Sequence, residues 1–107
     1  STIVQIAPTA IDISHRPDSP SLFSNYPNPF NPSTIIRYNL LDYSEVNISI
    51  YDMSGRPVRN FNQSHARSGE INWDGVNDTG QSVSAGIYLC RLQARGVHAS
   101  IKLVLLK

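Results

Sequence analysis

Residues 46–50 read Val-Asn-Ile-Ser-Ile, so that three aliphatic side chains alternate with two polar ones. Successive side chains of an extended strand point to opposite faces, and this alternation therefore predicts a strand with one buried and one exposed face. Similar alternation occurs on both sides of this stretch, in residues 36–40, 71–73, 88–94 and 101–105. No window has the 3.6-residue spacing of an amphipathic helix. The sequence therefore predicts an all-β fold.

Turn signals separate these runs. Glycine ends four short polar segments, which are Ser54-Gly55, Ser68-Gly69, Asn77-Asp78-Thr79-Gly80 and Arg95-Gly96. Such residues tolerate positive φ and favour tight turns. Strands about ten to fifteen residues apart with short turns indicate an antiparallel sandwich of about seven strands. The strands on either side of Arg95-Gly96 are predicted to form a hairpin.

Length and charge exclude several classes of protein. The chain has 107 residues and a formal net charge of +1, which indicates one domain with one core. A protein that binds nucleic acid through its phosphates normally carries a large basic excess, so we expect no nucleic-acid partner. No apolar run approaches the roughly 18 residues of a membrane span. The one cysteine, Cys90, cannot form an internal disulfide.

Composition divides the chain near residue 32. Residues 1–33 hold six of the seven prolines, which excludes a long helix there. Short apolar runs at residues 3–6 and 10–13 are candidates for extended structure. We therefore interpret residues 1–21 as a linker or an additional N-terminal strand, and residues 22–107 as the folded domain.

A run rich in proline, asparagine and aromatic residues precedes the first clear strand. It consists of Asn25, Tyr26, Pro27, Asn28, Pro29, Phe30, Asn31 and Pro32, followed by Ser33 and Thr34. Proline donates no hydrogen bond to a sheet, so this run is expected to end strand pairing and to protect an edge. The structural interpretation is a rigid lid in which Tyr26 and Phe30 both fold back onto the core.

This run resembles the opening signature of the C-terminal sorting domains of the bacterial type IX secretion system, a family related to the immunoglobulin-like module of the flagellar hook-capping protein. The resemblance covers residues 22–107. Further landmarks follow in the family's order, namely Tyr51-Asp52 with Gly55-Arg56 and Val58, Trp73-Asp74-Gly75 with Asp78 and Gly80, Gly86-Ile87-Tyr88 with Arg91-Leu92, and a basic-ended final strand. The fold that it implies is an immunoglobulin-like antiparallel β-sandwich.

The function that the resemblance implies is delivery rather than catalysis. Such a domain directs a secreted passenger to the outer cell surface of a bacterium or into the medium. The implied partners are translocon or shuttle proteins, together with the passenger domain upstream. The signature at residues 25–32 would then also be a candidate docking surface for a secretion component.

The final strand has apolar side chains on both faces, which is more than a one-sided sheet needs. Its residues are Lys102, Leu103, Val104, Leu105, Leu106 and Lys107. One interpretation is a central or covered strand. The other is that these residues present an apolar, basic-tipped segment to the secretion machinery, through strand addition. They are our candidate residues for sorting and partner binding.

Two acidic turn residues and an asparagine raise the question of calcium. Asp74, Asn77 and Asp78 lie close together in sequence and carry the oxygen ligands that this cation prefers. Their spacing differs from that of an EF-hand. The alternative is that Asp74 and Asp78 accept main-chain N–H groups and tighten a hairpin.

Catalytic signatures are missing from the sequence. His15, His65 and His98 are far apart and have no neighbour at zinc-ligand spacing. No nucleophile motif accompanies them, so we expect no catalytic residues, no cofactor and no enzyme activity. Cys90 and Trp73 alternate with polar residues and are predicted to lie in the core.

The sequence is compatible with two other functions. The apolar stretch at residues 3–13 could complete a neighbouring molecule's sheet, which would make the protein a self-associating extracellular subunit or adhesion module. A carbohydrate-binding module is the second alternative, and it depends on exposed Trp73, Tyr88 and Tyr43.

Overall fold

A computed structural model describes residues 20–106 of the chain. Within that range the chain forms five strands and no helix, which confirms the all-β prediction. The strands are β1 (Leu22–Tyr26), β2 (Thr34–Tyr51), β3 (Pro57–Trp73), β4 (Gly86–Ala94) and β5 (Val97–Leu105). Every pairing between them is antiparallel, and all five belong to one sheet.

The long strand β2 organises this sheet. One of its edges pairs with β3 along most of its length. The opposite edge pairs with β1 at residues 35–39 and with β4 at residues 47–51. The register with β3 shifts between Asn39 and Val46, and such irregularities bend a strand and increase its twist. The bend lets one sheet curl around a single core.

The curled sheet closes where the loop after β1 meets β5. Phe30 forms a parallel bridge with Leu105 there. Trp73 lies at the centre of the core, with its ring centroid 5.6 Å from that of Phe30 and 5.4 Å from that of Tyr88. The remaining buried apolar residues are Ile36, Tyr38, Leu40, Val46, Ile48, Ile50, Val58, Ile71, Cys90, Leu92, Leu103 and Leu105.

The predicted sandwich of about seven strands is not confirmed, because the described residues form five strands in one sheet. Residues 36–40 and 46–50, predicted as separate strands, are parts of the single strand β2. The first half of β3 has few buried side chains, so its sequence shows no alternation, and backbone pairing with β2 defines it instead. The candidate strands at residues 3–6 and 10–13 lie outside the described residues.

Three of the four predicted turns are confirmed. Gly55, Gly80 and Gly96 have positive φ, and Arg95-Gly96 joins β4 to β5 as a hairpin. The turn at Ser68-Gly69 is wrong, because Gly69 lies inside β3 opposite Tyr38. A Cβ atom at Gly69 would lie 2.8 Å from the Tyr38 hydroxyl oxygen. Glycine is present here to accommodate an aromatic ring on the neighbouring strand.

Candidate functional site

The proline-rich signature forms the connection between β1 and β2. Phe30 is 1% exposed and packs against Trp73, so its predicted position over the core is confirmed. The prediction for Tyr26 is wrong, because this side chain is 78% exposed. Tyr26 ends β1 on the same face as Leu22 and Ser24, and that face is exposed along the whole strand.

The same connection covers the outer edge of β5 through four hydrogen bonds. The Asn28 amide nitrogen donates to the carbonyl oxygen of Lys102 at 3.2 Å, and the N–H of Val104 donates to Asn28 Oδ1 at 3.1 Å. The N–H of Phe30 donates to the Val104 carbonyl at 2.9 Å, and the N–H of Leu106 donates to the Phe30 carbonyl at 2.8 Å. We call this arrangement of Asn28 and Phe30 on β5 the edge clasp.

The chemistry of the asparagine side chain explains the first half of the edge clasp. A carboxamide offers one carbonyl acceptor and an N–H donor, as a peptide group does. Asn28 therefore bonds to β5 in the way that a residue of a neighbouring strand would. Phe30 continues the same pairing with its own main chain, and its side chain fixes the loop to the core.

The start of the loop is held by a second set of contacts. The hydroxyl of buried Thr34 donates to the carbonyl of Pro27 at 2.8 Å and accepts from the Asn25 amide at 3.1 Å. Pro27, Pro29 and Pro32 have no main-chain N–H, so none of them offers a donor to an incoming strand. The signature therefore ends the pairing of β1 with β2 and covers the edge of β5, as its composition predicts.

The final strand is covered in this structure. Leu103 and Leu105 point into the core and are almost fully buried, whereas Lys102 and Leu106 are exposed. Lys107 lies outside the described residues. The outward main-chain groups between Lys102 and Leu106 are those that the edge clasp bonds. The geometry thus favours the interpretation of a covered strand over strand addition at these residues.

Asp78 covers the outer edge of β3 in a similar way. Its N–H donates to the carbonyl of Val58 at 3.0 Å, and its Oδ1 accepts the N–H of Asn60 at 3.2 Å. Arg59 Nε lies 3.6 Å from the same oxygen. Two edges of the sheet are therefore capped by an Asx residue that bonds to alternate residues of the strand, Asn28 with its side chain alone and Asp78 with its side chain and its main-chain N–H.

The calcium candidates have other contacts in this structure. Asn77 Oδ1 accepts hydrogen bonds from the N–H of Thr79 at 3.0 Å, the Thr79 hydroxyl at 2.7 Å and the N–H of Gln81 at 3.0 Å. The turn-tightening role that the sequence predicts for Asp74 and Asp78 belongs to Asn77. Asp74 is exposed, and Asp78 accepts the N–H of Asn60 and caps β3 instead. Among residues 20–106, no three or more His, Cys, Asp or Glu side chains are grouped to hold a metal.

A second turn of this kind joins β2 to β3. Asp52 Oδ1 accepts three hydrogen bonds. They come from the N–H of Ser54 at 3.0 Å, the hydroxyl of Ser54 at 2.7 Å and the N–H of Arg56 at 3.0 Å. The bond from the Ser54 hydroxyl, followed by the one from the Arg56 N–H, lowers the pKa of Asp52. The sequence signal for both turns is an Asx residue followed two positions later by Ser or Thr and then Gly.

The predicted core residues are confirmed. Trp73 is fully buried and its indole N–H donates to the carbonyl of Val76 at 2.8 Å. Cys90 is also fully buried, and desolvation raises the pKa of its thiol to about 12. Tyr88 is buried as well, so the carbohydrate-binding alternative loses two of its three aromatic side chains. The third, Tyr43, is exposed, and its ring stacks on that of His65 with the two ring centroids 4.9 Å apart.

No helix among the described residues is long and apolar enough to cross a membrane.

A family model described as a secretion system C-terminal sorting domain matches residues 24–106, which include both partners of the edge clasp. The search of curated proteins finds no match.

Two solved structures from Porphyromonas gingivalis are similar to this chain. Dimeric latent PorU is 25% identical over 78% of the chain, with a TM-score of 0.64. PorZ, an essential bacterial surface component of the type-IX secretion system, is 19% identical over 81% of the chain, with a TM-score of 0.61. The match spans 9% of the PorU chain and 12% of the PorZ chain, and for PorZ the likeness shows the fold alone.

Proposed function

The chain belongs to the secretion system C-terminal sorting domain family, and on this premise we propose that it is a non-enzymatic module that directs a secreted passenger through the type IX secretion system to the cell surface. The proposed partners are components of the secretion machinery and a passenger domain upstream. The proposed location is the outer cell surface or the medium. The finer fold assignment, an immunoglobulin-like module related to the hook-capping protein, stays a prediction.

The edge clasp is the observation that carries this proposal. Asn28 belongs to the stretch that resembles the family signature, and Lys102 belongs to the final strand. These two residues are 74 positions apart in the chain, yet a hydrogen bond joins them. Two segments proposed to act in sorting therefore form one continuous part of the surface. A protein partner can recognise such a surface without any pocket.

The chemistry of the one cysteine supports a non-enzymatic role. A nucleophilic cysteine acts as its thiolate and needs a lowered pKa. Burial raises the pKa of Cys90 to about 12, so its thiol stays protonated and inaccessible near neutral pH. Cys90 packs in the core as a small apolar residue.

A fusion experiment tests the proposed function. The full chain is placed at the C-terminus of a reporter that carries an inner-membrane export signal, in a bacterium that has the type IX system. We expect the reporter at the cell surface or in the medium. In an isogenic strain without the translocon, it should stay in the periplasm.

Equal export in the two strains, or retention in both, would contradict the proposal. Deleting residues 103–107 is a poor substitute for this comparison. It would remove Leu103 and Leu105 from the core, so that lost export could reflect unfolding alone. Exchanging the host strain leaves the folded domain unchanged.

A further inference from the structure

The edge clasp limits how a partner can engage the final strand. Strand addition needs free main-chain N–H and C=O groups on an exposed edge. Between Lys102 and Leu106, the Lys102 carbonyl, both main-chain groups of Val104 and the Leu106 N–H are already bonded to the loop. A partner strand could pair with these residues only after the loop is displaced.

The two halves of the edge clasp are held differently. Phe30 is anchored because its ring is buried against Trp73, so its main chain stays beside Val104 and Leu106. Asn28 is an exposed residue, and it hydrogen-bonds to β5 through its side chain. The Asn28 half is therefore the one that a single substitution can open while the core stays intact.

Exposed side chains flank the closed edge clasp. Lys102 provides a cation, and Leu106, directly after β5, is 50% exposed. Tyr26 is exposed at the end of β1, directly before the loop. The combination suits a protein surface that is apolar and carries a carboxylate for the lysine.

We propose that Asn28 is a positioning residue for sorting, and that the secretion machinery recognises the final strand with the edge clasp closed. The proposal rests on the sorting function proposed above. The partner binds the side chains of Lys102 and Leu106 as part of a folded surface and does not add a strand to β5. Asn28 acts by holding the main chain of Lys102 and Val104 in place.

Amide hydrogen exchange measures the edge clasp directly. In the Asn28→Ala variant the Val104 N–H loses its acceptor, and we expect it to exchange roughly two- to tenfold faster, as loss of a typical hydrogen bond implies. The Leu106 N–H, bonded to Phe30, should change less. Asn28→Asp keeps an acceptor for the Val104 N–H, so this N–H should exchange more slowly than in the alanine variant.

Export of the reporter fusion then separates positioning from folding stability. Asp78→Ala is the matched control, because it removes the side-chain half of the comparable cap from the edge of β3. We expect less reporter at the cell surface with Asn28→Ala than with the unsubstituted domain. With Asp78→Ala the amount at the surface should stay unchanged, although Tm falls as much or more. With Asn28→Asp the amount at the surface should be partly restored.

Several results would overturn the proposal. Unchanged Val104 exchange in Asn28→Ala would show that Asn28 does not hold the strand, and normal export despite faster exchange would show that sorting needs no closed edge clasp. Equal loss in both alanine variants would assign the effect to stability. Increased export in Asn28→Ala would favour strand addition. If the unsubstituted fusion stays in the periplasm, the sorting function itself fails, which is a separate outcome.

Discussion

A side-chain oxygen accepts a main-chain N–H at four Asx residues, which are Asn28, Asp52, Asn77 and Asp78. In two of them the acceptor closes a tight turn, and in the other two it covers the edge of a strand. Asx side chains suit both tasks because they are short and place a carbonyl-type oxygen near the main chain. At the scale of single residues, the same chemistry produces turns inside the chain and caps at the edges of its sheet.

The burial of Cys90 leads to a prediction about reactivity. Its thiol keeps its proton up to about pH 12 in the folded protein, so alkylation by iodoacetamide at pH 8 should be far slower than in urea. Mass spectrometry of the labelled protein measures both rates. Labelling at the same rate in the folded and unfolded chains would contradict the burial of this side chain.

The same pKa shift has a consequence for stability. The folded thiol keeps its proton while the unfolded one loses it above about pH 9, so the contribution of Cys90 is fully present below that pH and is lost as pH rises toward 12. Tyr38 and Tyr88, whose pKa values are also raised by burial, act in the same direction. The free energy of unfolding in urea can be measured between about pH 9 and 12 for the unsubstituted protein and for Cys90→Ala. The difference between their pH dependences is the contribution of the thiol.

At the scale of elements, the cross-strand pair of Tyr38 and Gly69 joins β2 to β3. Alanine is normally favoured over glycine inside a strand by about 0.5–1 kcal/mol. Here a Cβ atom would lie 2.8 Å from both the Tyr38 hydroxyl oxygen and Gln63 Oε1, which are themselves hydrogen-bonded partners. We expect Gly69→Ala to lower the free energy of unfolding by about 1–3 kcal/mol, measured in urea.

A second substitution tests the cause of that loss. Tyr38→Phe removes the hydroxyl that the new methyl group would meet, so Gly69→Ala should cost less in that background. Ser68→Ala, at an exposed neighbour in β3, is the control and should change stability little. An equal cost of Gly69→Ala in both backgrounds would show that contact with the Tyr38 hydroxyl is not the reason.

The elements also show which strands local sequence can predict. The first part of β2 and most of β4 and β5 alternate between buried and more exposed residues, and this alternation is visible in the sequence. In residues 46–50 the predicted exposed face is wrong, because Ser49 is buried and Asn47 is half-buried. β1 and the first half of β3 bury few side chains and are defined by pairing with β2. Strands of this second kind leave little hydrophobic signal, so the sequence did not reveal them.

At the scale of the whole molecule, self-association through residues 3–13 stays a prediction, since these residues lie outside the described part of the chain. Strand donation by this segment would make oligomers depend on its presence and on protein concentration. Gel filtration of residues 1–107 beside residues 20–107 compares the two. The hypothesis predicts that only the longer chain forms larger species. A monomer in both cases, at concentrations up to the millimolar range, would remove it.

The sequence by itself determined the all-β class, the burial of Trp73 and Cys90, and the family signature, because alternation and local composition are recorded in neighbouring residues. Tertiary structure alone decided that the five strands form one curled sheet and that Gly69 faces Tyr38. It also decided that Asn28 bonds to Lys102 and Val104. Contacts of this kind join segments far apart in the chain, and their formation depends on how the sheet bends, which no local pattern of side chains specifies.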